Sequence, residues 1–384
     1  MMPSSVDHVV IGGGPAGSML STRLAAAGCQ VVLLEKQREP HHKVCGEFLS
    51  AEAIGYLERT GVDPVALGAH PIQSVRLHAS RKSVQAALPF AAVALSRRIL
   101  DEALLRQAEL TGCEVRRGVF VEKLHRQGDN FSIQLRGGET IRTKNVFLAT
   151  GKHDVAEHPR GKGSHRNLIG FKMHCQLTPE GNNAVRHSME LFLFPGGYGG
   201  LSLIENNTAN LCFVIHRSSV RAIGNWSELL STICADVPTM REILRDSTQR
   251  WPKPLAISPI PYGCFADVAN GIWPIGDQAA VIPSFTGDGM SIALHSAGLA
   301  AEMYLAGRTP DEYLARLRGH LRSGMRFAST FSRIMVTSAG RTLAPYCLSL
   351  APGMMGWIAA RTRIPDRVLN ATYIPVGHSP IPAA

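Results

Sequence analysis

Apolar residues along the start of the chain change rhythm twice before residue 36. Val9–Ile11 is a continuous apolar run, the pattern of a strand buried inside a parallel sheet. After a glycine-rich break, small and apolar residues from Ala16 to about Ala27 predict a helix, which Gly28 ends. Val31–Leu34 is a second buried run with Glu35 at its end. Strand, turn, helix and strand together predict one βαβ unit. Further on, the rhythm becomes alternation. Ile72–Leu88 carries two alternating runs around a polar turn and predicts a hairpin, and residues 114–148 predict three strands. From about 165 to 262, runs such as "IGFKMHCQL", "SMELFLF" and "ANLCFVIH" between Gly or Asn turns predict an antiparallel sheet. Ile272–Ile275 is again a short strand, Ser291 to about Ala306 a long apolar helix, and the region past residue 310 is helical in pattern.

The break between the first strand and helix carries the chemistry. Gly12, Gly14 and Gly17 stand at G-x-G-x-x-G spacing, with Pro15 and Ala16 inside the turn. The first glycine lets the chain turn, the second lets backbone approach a pyrophosphate, and the third lets the helix pack on the strand. The helix then offers its first amides and its positive dipole end to that pyrophosphate. Glu35, followed by Lys36, closes the second strand where a carboxylate accepts hydrogen bonds from a ribose diol.

This unit suits NAD and FAD equally; the evidence that separates them lies far downstream. Ile272–Ile275 runs into Gly276 and Asp277, which offer close backbone approach and a carboxylate to a polyol such as ribityl. "TGDGM" (Thr286–Met290) then opens the long apolar helix, so that Gly287, Gly289 and Met290 face the edge of a ring that gains negative charge on reduction. A dinucleotide alone does not require this second element. FAD does, because its ring system lies far from its adenosine.

These residues resemble a known family. "IGGGPAGS" with "GDQAAVIPSFTGDGMSIAL" is similar to the FAD-binding fingerprints of the aromatic hydroxylase and geranylgeranyl reductase superfamily of flavin enzymes. "HHKVCGEFLS" (His41–Ser50) resembles the reductase-like branch. "LSRRILDEALLRQAELTG" (Leu95–Gly112) resembles the superfamily's R-x-x-L-D helix, whose arginine reaches the flavin; the matching residue is Arg97, with Asp101, one turn on, as its salt-bridge partner or a solvated charge. "FLATG" (Phe147–Gly151) resembles the strand that returns beside the adenine half. The resemblance implies an α/β fold: a Rossmann-like FAD-binding domain of glutathione reductase type, an inserted antiparallel β-sheet substrate domain, and a helical C-terminal extension. The expected segments are 1–71, 91–164 and 263–310 for FAD, 72–90 and 165–262 for substrate, and 311–384 for the extension. One departure stands out. The hydroxylases usually carry Asp-Gly after the "ATG" strand, whereas this chain reads "ATGKHDVAEHPRG", and it has no second nucleotide-type glycine fingerprint.

Candidate chemistry follows from the same segments. The family motif places Cys45, with Gly46, in the loop leading toward the flavin, and Lys43 is expected to contact the pyrophosphate and to lower the pKa of the thiol. Tyr198, in what reads as a glycine turn, is the second candidate for the substrate pocket. His165, His174, His187 and His216 are isolated at strand-like positions, and no metal is expected. The expected function is an FAD-dependent oxidoreductase acting on a lipophilic small molecule, aromatic, polyketide or isoprenoid. NAD(P)H-dependent hydroxylation through a flavin C4a-hydroperoxide leads, with double-bond reduction of the geranylgeranyl reductase type as the alternative and a non-catalytic electron carrier as a third. Halogenation is not expected, because the Trp-x-Trp-x-Ile-Pro pattern of tryptophan halogenases is absent.

Bulk properties refine this only at the margins. The 384 residues are 45% hydrophobic and 18% charged, a folded composition with room for two joined domains. The net charge of +10 is spread thinly and aromatics are 6%, so no stacking platform for nucleic acid is visible. The eight cysteines show no C-x-x-C pair, which suits reduced thiols in the cytoplasm. The first strand starts too early to leave room for a signal peptide. At the other end, Arg318, Arg322 and Arg326 form a basic stripe ahead of the uncharged remainder of Thr342–Ala360. That pairing predicts either packing on the substrate domain or peripheral contact with the inner face of a membrane.

Overall fold

The computed structural model describes residues 4–364 and residue 368, apart from residues 157, 159, 161, 162, 164–166, 268, 269 and 352. The chain opens with strand β1 (Ser4–Ile11), helix α1 (Pro15–Ala26) and strand β2 (Val31–Glu35). Strand β3 (Phe48–Ser50) and helix α2 (Ala51–Arg59) lead to the hairpin of β4 (His70–Ala79) and β5 (Lys82–Ala94). Helix α3 (Arg97–Leu110), capped by the Ser96 hydroxyl, precedes β6 (Glu114–Arg117) and the meander β7 (Val121–Gln127), β8 (Asn130–Leu135) and β9 (Thr140–Leu148). The run Glu114–Leu124 that reads as one strand is two. Gly118, at φ +74°, breaks it, so that β6 pairs with β2 while β7 pairs with β8.

Strands order as β6-β2-β1-β9, all parallel, and β9 forks. Its first half pairs antiparallel with β8 and its last two residues pair with a later strand. Side-chain alternation explains the layering. Val10, Leu33 and Phe147 point to a helical layer of α1, α2 and α3, whereas Val9, Ile11, Val32 and Leu34 pack on Leu124, Phe131 and Ile133 of the meander.

A second sheet follows. Its strands are β10 (Leu168–Gln176), β11 (Ser188–Phe194) after helix α4 (Pro179–Val185), β12 (Gly197–Leu203) and β13 (Ala209–His216). Helices α5 (Arg217–Ile223), α6 (Trp226–Asp236) and α7 (Pro238–Ile243) and two short strands, β14 (Thr248–Gln249) and β15 (Leu255–Ile257), complete the segment. The sheet runs β14-β10-β13-β12-β11-β4-β5-β3, and the expected antiparallel pairing holds at every junction but one. Strand β11 runs parallel to β4, because it enters from α4 rather than from a hairpin with β4. One face, with Phe192, Leu211 and Phe213, packs on α6 and α7; the other, with Tyr198, Val214 and Leu77, faces inward to a cavity.

The chain then returns through β16 (Cys264–Phe265), β17 (Trp273–Pro274), which joins β9, and β18 (Ala280–Val281). Helix α8 (Gly289–Leu305) packs beside α1 and α2. Helix α9 (Pro310–Met335) starts at a Thr309/Glu312 capping box with Pro310 at its first position. Helices α10 (Ser338–Leu350) and α11 (Gly353–Arg361) then lie against β4 and β5. Of the expected C-terminal extension, residues 352, 365–367 and 369–384 lie outside the described residues.

Candidate functional site

One cavity of about 780 Å³ runs from the glycine turn to the inner face of the second sheet. At its first end, Gly17 must be glycine because a Cβ there would collide with the carbonyl oxygen of Gly12. Gly14 is different: its backbone is extended, and a Cβ would meet only Arg97 Nη2, at 3.5 Å, on the cavity side. Neither α1 nor α8 receives a side-chain cap at its N-terminus, and Gly14 to Ala16, like Gly289 and Met290, line the same cavity. Two sets of uncapped amides therefore open onto one space, an arrangement that attracts anionic groups.

Glu35 is buried, and its carboxylate accepts hydrogen bonds from the amides of Gly13 (2.7 Å) and Gln37 (2.8 Å). The carboxylate thus sets the turn as well as facing the cavity beside Lys36, whose ammonium sits over the Phe120 ring. Arg97 grips Asp101 with Nε and Nη2, at 2.6 and 2.9 Å, as its helical spacing suggested. Lys43 donates to the same carboxylate at 2.9 Å. Burial opposes the Arg97 charge, but Asp101, aided by the nearby Cys45 sulfur, raises its pKa. The cation facing Cys45 is therefore Arg97, while Lys43 is turned to Asp101.

Cys45 and Gly46 line the middle of the cavity, and the Glu47 amide donates to Cys45 Sγ. Glu47 takes φ +58°, a left-handed conformation unusual for a non-glycine residue. Its buried carboxylate holds it there by bonding Lys172 Nζ, His174 Nε2 (3.0 Å) and the Arg97 amide (2.8 Å). His42 completes a close group with Glu47 and His174. The Lys172 ammonium already occupies the carboxylate that a metal ion would need. His187 stacks on His70 instead, His216 ends β13, and His165 lies outside the described residues.

Asp277 lies within the short helical turn Gly276–Gln278 after β17 and pairs with Lys152 at 3.0 Å. Burial opposes the lysine charge and Asp277 restores it, leaving its pKa raised. No motif singles out Lys152, although it stands directly after the "ATG" turn. Gly287 takes φ +74° against Phe48, which aims the loop before α8 into the cavity.

The far end is apolar. Tyr198 lies on β12 rather than in a turn; the turn is Pro195-Gly196, one step earlier. Its hydroxyl is 2.9 Å from Ser284 Oγ, which is 2.6 Å from the Tyr262 hydroxyl. Burial pushes Tyr262 up to about 12 and Tyr198 well above the usual tyrosine value, so both stay protonated. Phe285, Phe331, Met335, Leu348 and Met355 form the remaining wall. Tyr262 and Ser284 carried no sequence signal, since neither sits in a motif.

The residues fit FAD: a cradle left open at Gly14, a carboxylate at each end of the polar half, and a second helix start where the ring system belongs. Comparison with known proteins agrees. Residues 5–155 match the FAD binding domain family. Menaquinone reductase of Mycobacterium tuberculosis is 25% identical over 317 residues, 78% of this chain and 76% of its own. Digeranylgeranylglycerophospholipid reductase of Methanocaldococcus jannaschii is 27% identical over 310 residues, covering 77% and 76%. The solved structure of the myxobacterial chondrochloren halogenase shares the fold, with a TM-score of 0.75 at 18% identity over 96% of each chain.

Proposed function

We infer that this chain, whose residues 5–155 match the FAD binding domain family, is an FAD-dependent oxidoreductase that reduces a carbon–carbon double bond in an isoprenoid-bearing lipid. The observation that carries the reading is the single cavity, polar at the glycine turn, apolar at Phe331, Leu348 and Met355, with Cys45 on the wall between. Both reductases named above span three quarters of this chain, and the substrates in their names carry isoprenoid chains.

FAD, when bound, supplies the hydride equivalent. The protein orients the alkene and supplies the proton. A long apolar chain fits the far wall, which excludes water and aligns the double bond. Cys45 Sγ donates the proton to the second alkene carbon, and the thiolate left behind is steadied by the Arg97 guanidinium until solvent reprotonates it. Lys172 and His174 position this loop from behind by holding the Glu47 carboxylate.

Hydroxylation is the second reading, supported by the Tyr198–Ser284–Tyr262 hydroxyls, which can hold a phenolic or polyketide oxygen. One experiment separates the two. The flavoprotein is reduced anaerobically with NADPH or NADH and given an isoprenoid quinone or geranylgeranyl lipid. A product heavier by two hydrogens, and still so after any quinol has been reoxidised in air, supports reduction of the double bond. A requirement for oxygen, with a product heavier by one oxygen atom, supports hydroxylation instead. Cys45→Ser is expected to lower reductive turnover by about 10²–10⁴-fold, the usual contribution of general acid catalysis, with the flavin spectrum unchanged.

A further inference from the structure

The helices that close the apolar end of the cavity have a second face. Among the described residues nine large hydrophobic side chains are exposed, and six of them lie between Ile334 and Trp357. Leu343 (59% exposed), Tyr346, Leu350 (88%), Met354 and Trp357 (51%) point away from the fold. Leu348, Met355 and Ile358, from the same two helices, line the cavity. Among the described residues no single helix is long and apolar enough to cross a membrane, and α10 and α11 meet at a bend of 114°. An exposed apolar pair of helices with an L shape suits lying in a surface rather than spanning one.

Charge says which surface. From Tyr313 to Ile364 the chain has eight arginines and no acidic residue. Four of them are paired within the chain, with Glu302, Asp267, Asp236 and Asp288, the Arg318–Asp267 pair lying on the surface. Arg318 is one of these, so only part of the basic stripe remains. Arg322, Arg326, Arg333 and Arg361 are exposed. Arg361 lies over the Trp357 ring, Lys82 lies over Tyr346, and Phe327, next to Arg326, packs edge-on against Trp357. Cations therefore border the apolar face directly, with interfacial aromatics between.

We propose that the outer face of α10 and α11 docks on an anionic phospholipid surface, with its apolar residues in the lipid and the arginines on the headgroups, setting the apolar end of the cavity against the membrane. Arg363, which follows α11, ties this pair to the flavin-side loop through Asp288 and the carbonyl of Thr286. A lipid substrate thus has a short apolar route from the bilayer, past Leu348 and Met355, into the site.

The test is co-sedimentation of the full-length flavoprotein with phosphatidylcholine vesicles, with and without phosphatidylglycerol, at low and high salt. Wild type is expected on the anionic vesicles at low salt and to be released in part as salt screens the arginines. Leu343→Glu/Leu350→Glu is expected to weaken binding about tenfold per leucine. Arg322→Glu/Arg326→Glu should lose the preference for phosphatidylglycerol, about fivefold per arginine. These side chains point away from the cavity, so flavin content and melting temperature should match wild type in both variants. Full recovery in the supernatant under every condition overturns the proposal. So does a wild-type mass of two chains that falls to one in the leucine variant, because a second copy would then cover the face. Retention is read without turnover, so failure here leaves the reductase reading untouched.

Discussion

At the glycine-turn end of the cavity, Gly12, Gly14, Gly17 and Glu35 fall within 24 consecutive residues. At the apolar end, Tyr198, Tyr262, Ser284, Phe331, Leu348 and Met355 are drawn from 158. The difference follows from what each end holds. A pyrophosphate is held by backbone amides at a helix start, which demands a particular local path of the chain. That path is specified by neighbouring residues, and so it leaves a motif. An apolar wall needs only shape and dryness, which side chains from distant strands and helices supply together. No spacing records it.

The sharpest way to break this comparison is to treat two glycines of one turn as different kinds of residue. Gly17→Val should fail to fold, because the new side chain overlaps the backbone of Gly12. Gly14→Val should fold with a melting temperature close to that of a flavin-stripped wild type, yet retain no flavin, because its side chain projects into the cavity. Thermal melting and flavin absorbance read both. A Gly14→Val protein that keeps its flavin would remove this turn from the cofactor site.

Behind the flavin end stands a buried chain that no motif announced. The Tyr56 hydroxyl lies 2.7 Å from His295 Nδ1, and His295 Nε2 lies 3.0 Å from His320 Nδ1. Burial, with His320 adding to it, lowers the His295 pKa to about 3, so the ring is neutral in the fold. Its contribution to stability is therefore complete above pH 6.5 and is lost as the pH falls toward 3. The expected slope in that window is roughly 1.4 kcal/mol per pH unit. Denaturant unfolding of wild type and His295→Gln between pH 7 and about 4 checks it. Equal slopes would mean that another group accounts for the acid sensitivity.

Legibility in the sequence follows the same division. The first βαβ unit, the Gly276–Asp277 turn and the start of α8 were readable because each is a local backbone event tied to a ligand. Strands β6 and β7 read as one in the sequence, since Gly118 interrupts a run whose alternation continues across it. Tyr198 reads as a turn residue because Pro195-Gly196 precedes it and Gly199-Gly200 follows it within a strand that is itself rich in glycine. Lys152, Lys172 and Arg363 matter through partners 125, 125 and 75 residues away, and distance of that kind has no rhythm to detect.

Asp277 lies between the two ends and should behave like the first. Asp277→Ala is expected to weaken FAD binding by about 1–3 kcal/mol, the loss typical of a charged acceptor. It also leaves Lys152 without its carboxylate, so Asp277→Ala/Lys152→Ala should recover part of the loss. Titration of stripped protein with FAD measures both. No recovery in the double variant would indicate that Lys152 contacts the cofactor itself.

The smallest effect belongs to the apolar end. Ser284 Oγ stands between two buried tyrosine hydroxyls, at 2.9 Å from Tyr198 and 2.6 Å from Tyr262. A serine hydroxyl has one proton and two lone pairs, so it can donate to one tyrosine and accept from the other. Removing either tyrosine hydroxyl leaves Ser284 bonded to the second, and each single Tyr→Phe variant should cost only about 0.5–1.5 kcal/mol. Removing both strips Ser284 of both tyrosine partners at once, so the double variant should cost more than the sum of the singles. Flavin content should not change, because the glycine turn is untouched. The substrate KM should change if these hydroxyls meet an oxygen of the substrate, and should stay constant if the lipid passes them as bare hydrocarbon. A double-mutant cycle in denaturant unfolding, run beside steady-state kinetics, reads each of these. Strict additivity would show that the three hydroxyls act as separate contacts, and the apolar end would then rest on hydrocarbon packing alone.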